Sequence, residues 1–258
     1  MLPFTVVIPA RYGSTRLPAK ALADIAGRPM IQWVVSAALR SGAQEVIVAT
    51  DDERVAQAVS LEDRRAAVLM TRADHQSGTD RIAEVANTRQ WDDAHIVVNV
   101  QGDEPLLPPR LIDDVAELLA ADTTADMATL STPITSVAEF LDPHAVKVVA
   151  ASDRSALYFS RAPVPWSRDG APQGLMSQTS IDDAQRHLGI YAYRASSLRR
   201  ITAMPPSTLE IAEKLEQLRA LQAGMRIVVA QAAVAPGFGV DTEHDLARVR
   251  AAVAGTAR

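Results

Sequence analysis

Short apolar stretches alternate with longer amphipathic stretches along the first hundred residues. The predicted strands are 4–8, 45–49, 67–70 and 95–100. The predicted helices are 29–41, 51–59 and 79–88. Because strands that alternate with helices form βαβ units, this half predicts a mostly parallel sheet flanked by helices. Such sheets bind ligands beyond the carboxyl ends of their strands, so each site residue should follow a strand.

The pattern changes at about residue 128, where short strands joined by polar segments begin. The predicted strands of this half are 127–132, 146–150, 156–160, 187–193 and 226–230. The polar stretch 167–185 has no periodicity and predicts a mobile loop. Ser207 and Glu210 form a capping box that predicts one helix running through Leu221, and a last helix begins near Thr242. We therefore expect residues 1–258 to form a single domain with a subsidiary strand-rich lobe at about 128–200.

Composition narrows the function classes. The chain has 258 residues, is 48% hydrophobic and carries a formal net charge of −5, which argues against a nucleic-acid coat or a polybasic membrane anchor. No apolar stretch approaches the roughly 20 residues that span a bilayer, so we expect no membrane segment and a cytoplasmic protein. The absence of cysteine excludes disulfides and thiolate metal sites. Oxygen ligands remain for any metal, and Mg²⁺ is the expected ion.

Three cations follow the first predicted strand with no acid among them. They are Arg11, Arg16 and Lys20, and Gly13 and Ser14 between them can present backbone N–H groups. Such a loop suits a polyphosphate. Gly13 stands alone, so neither a P-loop nor a dinucleotide fingerprint fits. The alternative is an ordinary solvated loop.

Two aspartates are candidate ligands for Mg²⁺. Asp103 follows a buried strand on a Gly turn, where a nucleotidyl-transfer fold needs an oxygen ligand, although an ordinary Gly–Asp turn would look the same. Asp241 is the candidate second carboxylate. The alternative for Asp241 is a charge near a helix N-terminus, since Thr242 and Asp245 form a capping box. Both roles can hold together.

The polar loop 71–80 lies between a predicted strand and a predicted helix. Its donors could contact a nucleotide base or cap the helix, and the spacing alone favours a cap. His75 has no Cys or second His at ligand spacing, so we interpret it as a hydrogen-bonding loop residue and not as a metal ligand.

The second half contains a candidate pocket for an acid. Period-two alternation in 187–193 gives one apolar and one polar face. Leu188, Ile190 and Ala192 share the first face, and His187, Tyr191 and Tyr193 share the second. Arg161 ends a predicted strand and adds a cation; the alternative is a pair of surface strands with Arg161 solvated. Glu216 could face this pocket, but its default role on a helix is an ion pair with Arg219.

Eight segments, in order, resemble the 3-deoxy-manno-octulosonate cytidylyltransferase family. They are IPARYGSTRLPAK, MTRADHQSGTDR, NVQGDEP, AVKVV, YFSRAPVPW, RHLGIYAYR, LEQLR and GVDT, and they extend from about Phe4 to Val253. The order of the eight carries the specificity, since any one alone is weak. The acylneuraminate cytidylyltransferases share the features of the first loop, but RHLGIYAYR and LEQLR are closer to the former family.

The resemblance implies a fold, a reaction and a set of site residues. The fold is the Rossmann-like α/β sheet of nucleotide-diphospho-sugar transferases. The reaction converts CTP and 3-deoxy-D-manno-octulosonate (Kdo) to CMP-Kdo and diphosphate for lipopolysaccharide biosynthesis, with Mg²⁺, in a homodimer. The implied nucleotide-binding residues are Ala10, Arg11, Ser14, Arg16, Lys20, Arg72, Gln76, Ser77 and Gly78. The implied sugar-binding residues are Gln101, Arg161, His187, Tyr191, Glu216 and Gln217.

The resemblance also implies how the reaction is catalysed. Asp103 and Asp241 would hold magnesium, while Arg16, Lys20 and Asp103 would be catalytic through positioning and electrostatic stabilisation. Two alternatives stay open. One is a cytidylyltransferase for another acidic sugar, such as a neuraminate, and the other is a non-catalytic sensor that binds CTP. The presence of both Asp103 and Asp241 argues against the sensor.

Overall fold

A computed structural model of the chain describes residues 2–14, 17–181 and 183–256, with the side chains of all of these except Met176 and Thr256. The strands are β1 Phe4–Pro9, β2 Asp24–Ile25, β3 Arg28–Pro29, β4 Glu45–Thr50, β5 Ala66–Met70, β6 Ile96–Asn99, β7 Met127–Pro133, β8 Lys147–Ala150, β9 Ala156–Ser160, β10 Gln185–Arg194 and β11 Ile227–Gln231. The helices are α1 Met30–Ala38, α2 Glu53–Glu62, α3 Gly78–Thr88, α4 Pro109–Ala121, α5 Val137–Leu141, α6 Ala195–Thr202, α7 Thr208–Glu213, α8 Gln217–Gln222 and α9 Glu243–Thr256.

The main sheet is mixed and mostly parallel, as predicted. In the described part of the chain it contains nine strands, and its central order is β11-β7-β10-β6-β1-β4-β5. Strands β6, β1, β4 and β5 are mutually parallel, and β11 is parallel to β7. Strand β10 runs antiparallel to both β6 and β7 and joins the two parallel groups. The β8–β9 hairpin pairs with the start of β10, beside the central order.

Hydrophobic clusters cover both faces of the sheet. In β1, Val6 and Ile8 face a cluster with residues of α1, α2 and α4, while Val7 faces a cluster with residues of α3, α6 and α8. This alternation follows from the two-residue period of a strand. The same period holds in β10, where Ile190 joins the first cluster and Tyr191 the second. The predicted polar face of β10 is therefore also a core face, because helices cover it.

Most predicted elements are confirmed, but the helix predicted from Ser207 through Leu221 is wrong. The predicted capping box of Ser207 and Glu210 is present and begins α7. Lys214 then adopts a left-handed conformation, with φ 54°, which ends α7, and the separate helix α8 starts at Gln217. The break turns Ile211 outwards, and it is 54% exposed, whereas Leu215 and Leu218 are buried. The helices α4, α5 and α6 were not predicted.

The stretch predicted as a mobile loop has little regular structure. Its described residues include one short 3-10 turn, Leu175–Ser177. Hydrogen bonds join its two sides, with Thr179 N donating to Gly170 O at 2.8 Å and the Ser167 and Ser180 hydroxyl oxygens 2.9 Å apart. The stretch ends where β10 begins at Gln185. Its mobility stays a prediction, and so does a subsidiary lobe at 128–200, a segment that gives β7 and β10 to the main sheet.

The two ends of the chain pack together beside the sheet. Leu17, Ile25 and Met30 form a buried cluster with Leu246 and Val249 of α9. Val240 belongs to the same cluster. Helix α9 begins at the predicted capping box, in which Asp245 N donates to Thr242 Oγ1 at 3.2 Å and Thr242 N donates to Asp245 Oδ2 at 3.0 Å. This packing fixes the segment before α9 against the segment after β1.

Candidate active site

The first of two cavities at the site lies where β1, β5 and β6 end. Its volume is about 250 Å³. Residues after β1 and β6 and residues before α3 line it. Ten of the predicted site residues lie along its wall: Ala10, Arg11, Ser14, Lys20, Gln76, Ser77, Gly78, Gln101, Asp103 and Asp241. Parallel strands thus bring together loops that are far apart in sequence, as the βαβ pattern predicted. Arg16, predicted to be catalytic, lies outside the described residues.

Lys20 joins the two predicted metal-binding aspartates. Its Nζ donates to Asp103 Oδ2 at 2.5 Å, to Asp241 Oδ1 at 3.2 Å and to the carbonyl oxygen of Val240 at 3.0 Å. Asp103 and Asp241 therefore face one point, although 138 residues separate them in the sequence (241 − 103). The charge of Lys20 is shared by both carboxylates here. To contact a triphosphate, Lys20 Nζ would have to release one or both carboxylates or bind a phosphate oxygen in addition to them.

Two glycines allow the segment that carries Asp241 to approach the turn after β6. A Cβ on Gly237 would lie 2.1 Å from the carbonyl oxygen of Leu106, and one on Gly239 would lie 2.8 Å from Glu104 Oε1. Val240 N donates to the carbonyl oxygen of Asp103 at 2.9 Å and holds the two segments together. The position of Asp241 beside Asp103 thus depends on glycine at both places.

The two carboxylates fit a divalent cation. Both bind the same ammonium group, so a cation placed between them would receive an oxygen from each. Mg²⁺ usually binds protein through one or two carboxylates and takes its remaining ligands from water and phosphate. Among the described residues there is no cluster of three or more His, Cys, Asp or Glu side chains that could hold a metal. Two carboxylates therefore suit a Mg²⁺ site in which phosphate oxygens of a bound substrate supply further ligands.

The loop before α3 combines capping with access to the first cavity. Ser77 is the N-cap of α3 and forms a capping box with Asp80, as the spacing predicted. The ring of His75 pairs through Nε2 with Glu84, which also accepts from Arg72 N at 3.1 Å. His75 is thus a hydrogen-bonding loop residue that lines the cavity. The Arg72 guanidinium pairs with Asp74 in an exposed position, and Arg72 does not line the cavity, so the fold does not bring this predicted nucleotide-binding residue to the cavity wall.

A second, larger cavity adjoins the first. Its volume is about 690 Å³, and Gln101 and Asp241 line both cavities. The start of β10, helix α5 and the segment 236–239 form its wall, with Leu107 and Leu111 as apolar lining residues. His187 lies in this wall, as do Arg186 and Glu104, which were not predicted. Of the six predicted sugar-binding residues, Gln101 and His187 line the second cavity.

His187 and Tyr191 belong to a row of packed rings. The centroid distances are 5.0 Å from Phe159 to His187, 5.2 Å from His187 to Tyr191 and 5.7 Å from Tyr191 to Tyr193. His187 Nε2 lies 3.0 Å from Thr129 Oγ1. Burial lowers the pKa of His187 to about 3, which keeps its ring neutral at pH 7. A neutral ring can accept as well as donate a hydrogen bond.

Glu216 and Gln217 lie behind the loop before α3. Burial raises the pKa of the Glu216 carboxyl, and its polar neighbours Thr79 and Ser77 act in the opposite direction. Glu216 does not form the ion pair with Arg219 that is the default for this spacing, because Arg219 binds Glu210 through two hydrogen bonds of 2.6 and 2.8 Å. Gln217 is buried, and its Nε2 donates to no described group. Glu216 is therefore close to Ser77, and neither predicted sugar contact lines the two cavities.

Arg161 is not brought to either cavity wall. Its Nε donates to the carbonyl oxygen of Glu213 at 2.6 Å and its Nη1 donates to that of Pro143 at 2.8 Å. Its backbone N–H donates to the carboxylate of Glu213 at 2.9 Å. The guanidinium is thus occupied by the backbone. Its predicted contact with the sugar stays a prediction, and it requires donors that these two carbonyls leave unused.

Glu104 and Arg186 are functional candidates that the sequence did not single out. Burial, followed by the charges of Asp103 and Asp241, raises the pKa of Glu104 to about 7. Arg186 Nε is buried without a hydrogen-bond partner among the described residues, and its Nη1 lies 3.3 Å from Glu139 Oε1. Glu104 directly follows Asp103 and Arg186 directly precedes His187, so proximity to a predicted residue was the available signal.

The resemblance to known proteins agrees with this geometry. A family model described as Cytidylyltransferase matches residues 5–227. Two similar proteins, from Vibrio vulnificus (strain YJ016) and Aeromonas hydrophila subsp. hydrophila, are named 3-deoxy-manno-octulosonate cytidylyltransferase. They are 54% and 56% identical to this chain, and each alignment covers 98% of it and 99% and 100% of the relatives. This chain belongs to the 3-deoxy-manno-octulosonate cytidylyltransferase family.

A solved structure extends the family assignment to the fold. It is a CMP:2-keto-3-deoxy-manno-octonic acid synthetase complexed with CTP, 44% identical to this chain, with a TM-score of 0.87 over 98% of this chain and 99% of the other. The predicted nucleotide-sugar transferase fold is thereby confirmed. In the described ranges, no helix of this family member is both long enough and apolar enough to cross a membrane.

Proposed function

We propose that this chain transfers the cytidylyl group of CTP to Kdo and releases diphosphate. The observation that carries the proposal is the pair of carboxylates, Asp103 and Asp241, on one ammonium group at the boundary of two cavities. A transferase for two substrates needs one site for each and a shared edge where the reacting atoms meet. Similar proteins named for this reaction, and a similar structure complexed with CTP, support the choice of substrates.

The nucleotide belongs in the first cavity. Arg11 and Lys20 supply positive charge, and Ser14 and the N-terminus of α3 add hydrogen-bond donors for phosphate or base. Arg16 keeps its predicted role as a further cation on the triphosphate. The base would lie toward Gln76 and Ser77, at the end of the cavity away from Asp241.

The acidic sugar belongs beside the nucleotide, near Gln101 and His187. Gln101 lines both cavities, and its amide can donate to one substrate while accepting from the other. The neutral ring of His187 offers a further partner for a hydroxyl group, whereas Gln217 could serve only if its buried amide became accessible. A cation is needed for the sugar carboxylate, and Arg161 is the residue predicted for it.

The chemistry requires alignment and charge stabilisation. The anomeric hydroxyl oxygen of the sugar attacks the α-phosphorus and loses its proton to solvent. A new oxygen–phosphorus bond forms, the bond from the α-phosphorus to the oxygen that bridges to the β-phosphorus breaks, and diphosphate leaves. Negative charge develops on phosphate oxygens, where Lys20 and Arg16 act. Asp103 and Asp241 would hold Mg²⁺, which supplies Lewis-acid charge to those oxygens. No side chain needs to form a covalent intermediate.

Further properties of the family are proposed on the same basis. A homodimer, a cytoplasmic location and a role in lipopolysaccharide biosynthesis are consistent with a chain that activates Kdo. Exposed apolar side chains, among them Leu157, Trp166 and Ile211, offer surface for a second copy.

The test is release of diphosphate from CTP by the purified chain with Kdo, with and without Mg²⁺. We expect release only when CTP, Kdo and Mg²⁺ are all present, with little release when N-acetylneuraminate replaces Kdo. Greater activity with the neuraminate would assign the protein to the other acidic sugar. CTP binding by calorimetry without diphosphate release under any condition would identify a sensor and contradict the proposal.

A further inference from the structure

A buried ion pair lies at the wall of the first cavity, which Arg81 itself lines. Arg81 of α3 is 3% exposed, and its Nη2 donates to Asp51 Oδ2 at 3.1 Å. Its Nη1 donates to the hydroxyl of Thr71, which in turn donates to the carbonyl oxygen of Thr50 at 3.1 Å. Asp51 directly follows β4 and Thr71 directly follows β5, so one guanidinium connects α3 to the carboxyl ends of two strands.

The same carboxylate reaches the loop after β1. Asp51 Oδ1 accepts from Tyr12 N at 3.4 Å, while Oδ2 accepts from Arg81. The ring of Tyr12 packs under the guanidinium of Arg54, whose Cζ lies 3.5 Å from the ring centroid. The two oxygens of Asp51 thus serve different segments. One orients the described cationic loop, Arg11–Ser14, and the other orients the base-side loop, residues 71–78, through α3.

We propose that Asp51 and Arg81 are positioning residues that set the distance between the cationic loop and the base-side loop. The inference rests on the proposed function, because both loops line the cavity proposed for the nucleotide. A nucleotide that binds both loops is held in a reactive position only when their separation is correct, and a displacement of about 1 Å can lower the rate of an aligned reaction by about 100-fold.

Burial explains why an ion pair serves this purpose. Arg81 is almost completely enclosed, and the Asp51 side chain is 15% exposed, so an unpaired Arg81 would lack compensation for its lost hydration. A lysine at position 81 would keep the charge but would not provide a planar group with two separately directed nitrogens. An asparagine at position 51 would keep the size and one acceptor oxygen but would lose the other acceptor and the charge.

The chain contains a matched control in the same two elements. Arg89, which ends α3, pairs with Glu45, which begins β4, at 2.6 Å. This second pair joins the same helix to the amino-terminal end of β4, whereas the cavities lie at the carboxyl ends of the strands. Glu45→Gln and Arg89→Lys should therefore report the cost of losing an ion pair between α3 and β4 without affecting the loops.

The test compares Asp51→Asn and Arg81→Lys with Glu45→Gln and Arg89→Lys. We expect kcat/KM for CTP to fall by about 10-fold or more in the first two variants while the KM for Kdo changes by less than twofold. Trypsin cleavage after Arg11, followed by mass spectrometry on the ligand-free chain, should accelerate most in Asp51→Asn, which alters the acceptor of Tyr12 N, and less in Arg81→Lys, which only loosens Asp51. The two control variants should match wild type in both measurements.

The cleavage measurement does not depend on the reaction, so the inference can fail separately from the proposed function. Equal cleavage rates and equal kcat/KM values in all four variants would overturn it. An equal fall in the parameters for CTP and Kdo, together with a lower melting temperature, would also overturn it, since that result indicates general stabilisation. If Asp51→Asn does not fold, Arg54→Ala tests the same loop through the Tyr12 ring.

Discussion

The two cavities meet at Gln101 and Asp241 but are assembled in different ways. Loops that directly follow parallel strands, and the N-terminus of α3, form most of the first cavity. Its residues therefore occur in short sequence motifs. Helix α5, the start of β10 and the segment 236–239 form much of the second cavity, and these come from separate parts of the chain. Local sequence accordingly describes the nucleotide side of the site better than the side that adjoins it.

The largest effect on turnover should come from substitution of Asp103 or Asp241, at the boundary of the two cavities. Asp103→Asn and Asp241→Asn should each lower turnover on the order of 100-fold or more, because each removes a charge that would hold the metal where phosphate charge develops. Steady-state assays over a range of Mg²⁺ concentrations measure this effect. Asp93→Asn, at an 82% exposed side chain, is the control. Turnover close to wild type at saturating Mg²⁺ would remove the altered aspartate from the metal site.

Gly237→Ala tests whether the segment that carries Asp241 must stay close to the turn after β6. The added methyl group would lie 2.1 Å from the backbone carbonyl oxygen of Leu106 and should displace Asp241 from Asp103. We expect kcat to fall by about 10- to 100-fold, with a smaller effect on CTP binding. Gly255→Ala, which has no heavy atom within 4 Å of its added Cβ, is the matched control. An unchanged kcat would show that Asp241 tolerates movement of its segment.

Substitution of Arg161 and of Arg186 tests which of these two arginines binds the sugar carboxylate. Arg161→Ala should raise the KM for Kdo roughly 30-fold and leave the KM for CTP unchanged, since loss of a buried charge partner costs about 2–5 kcal/mol. Arg186→Ala is the comparison, because Arg186 lines the second cavity while Arg161 contacts backbone carbonyls. If only Arg186→Ala raised the KM for Kdo, the carboxylate would belong in the second cavity and the Arg161 prediction would be wrong.

The smallest effect concerns the pH dependence of stability. The pKa of His187 is lowered to about 3 in the folded chain, so the unfolded chain binds more protons between about pH 3 and its ordinary value of 6.5. This contribution is complete above pH 6.5 and is lost as the pH falls. Because His187 is partly exposed, we expect wild type to lose only about 1–2 kcal/mol more than His187→Asn between pH 7 and pH 5.

Urea denaturation of both proteins at the two pH values measures this difference. The comparison between variants removes the contribution of the other titrating groups, provided that both unfold in one transition. Equal losses of unfolding free energy in wild type and His187→Asn would contradict a buried neutral ring at this position.

The sequence predicted most strands because their apolar runs are short and end in polar loops, as β1, β4 and β6 illustrate. It also predicted the capping boxes at Ser207 and Thr242, since a cap depends on residues three positions apart. It did not predict the break at Lys214, because a left-handed lysine carries no Gly or Pro signal. The residues on either side of the break differ in burial, since Ile211 is exposed whereas Leu215 and Leu218 are buried.

In the site, too, local sequence motifs predicted some residues and not others. The cations after β1 and the carboxylate after β6 were recognisable as local motifs. Asp241 was a candidate second carboxylate beside Asp103 from the residues themselves, but an alternative as a helix N-terminal charge stayed open, because no spacing rule links residues so far apart. Glu104 and Arg186 acquire their properties from burial and from neighbours in the fold, so only the structure identifies them.

The bond from Lys20 to Asp241, which spans 221 residues, has a consequence for biosynthesis. A ribosome makes Lys20 long before Asp241, and the buried cluster that holds this segment includes Leu246 and Val249 of α9. Although strands and helices made earlier can begin to fold during translation, the contact between Lys20 and Asp241 forms only when α9 has left the exit tunnel. We expect a nascent chain that has not yet released α9 to hold Lys20 without this partner.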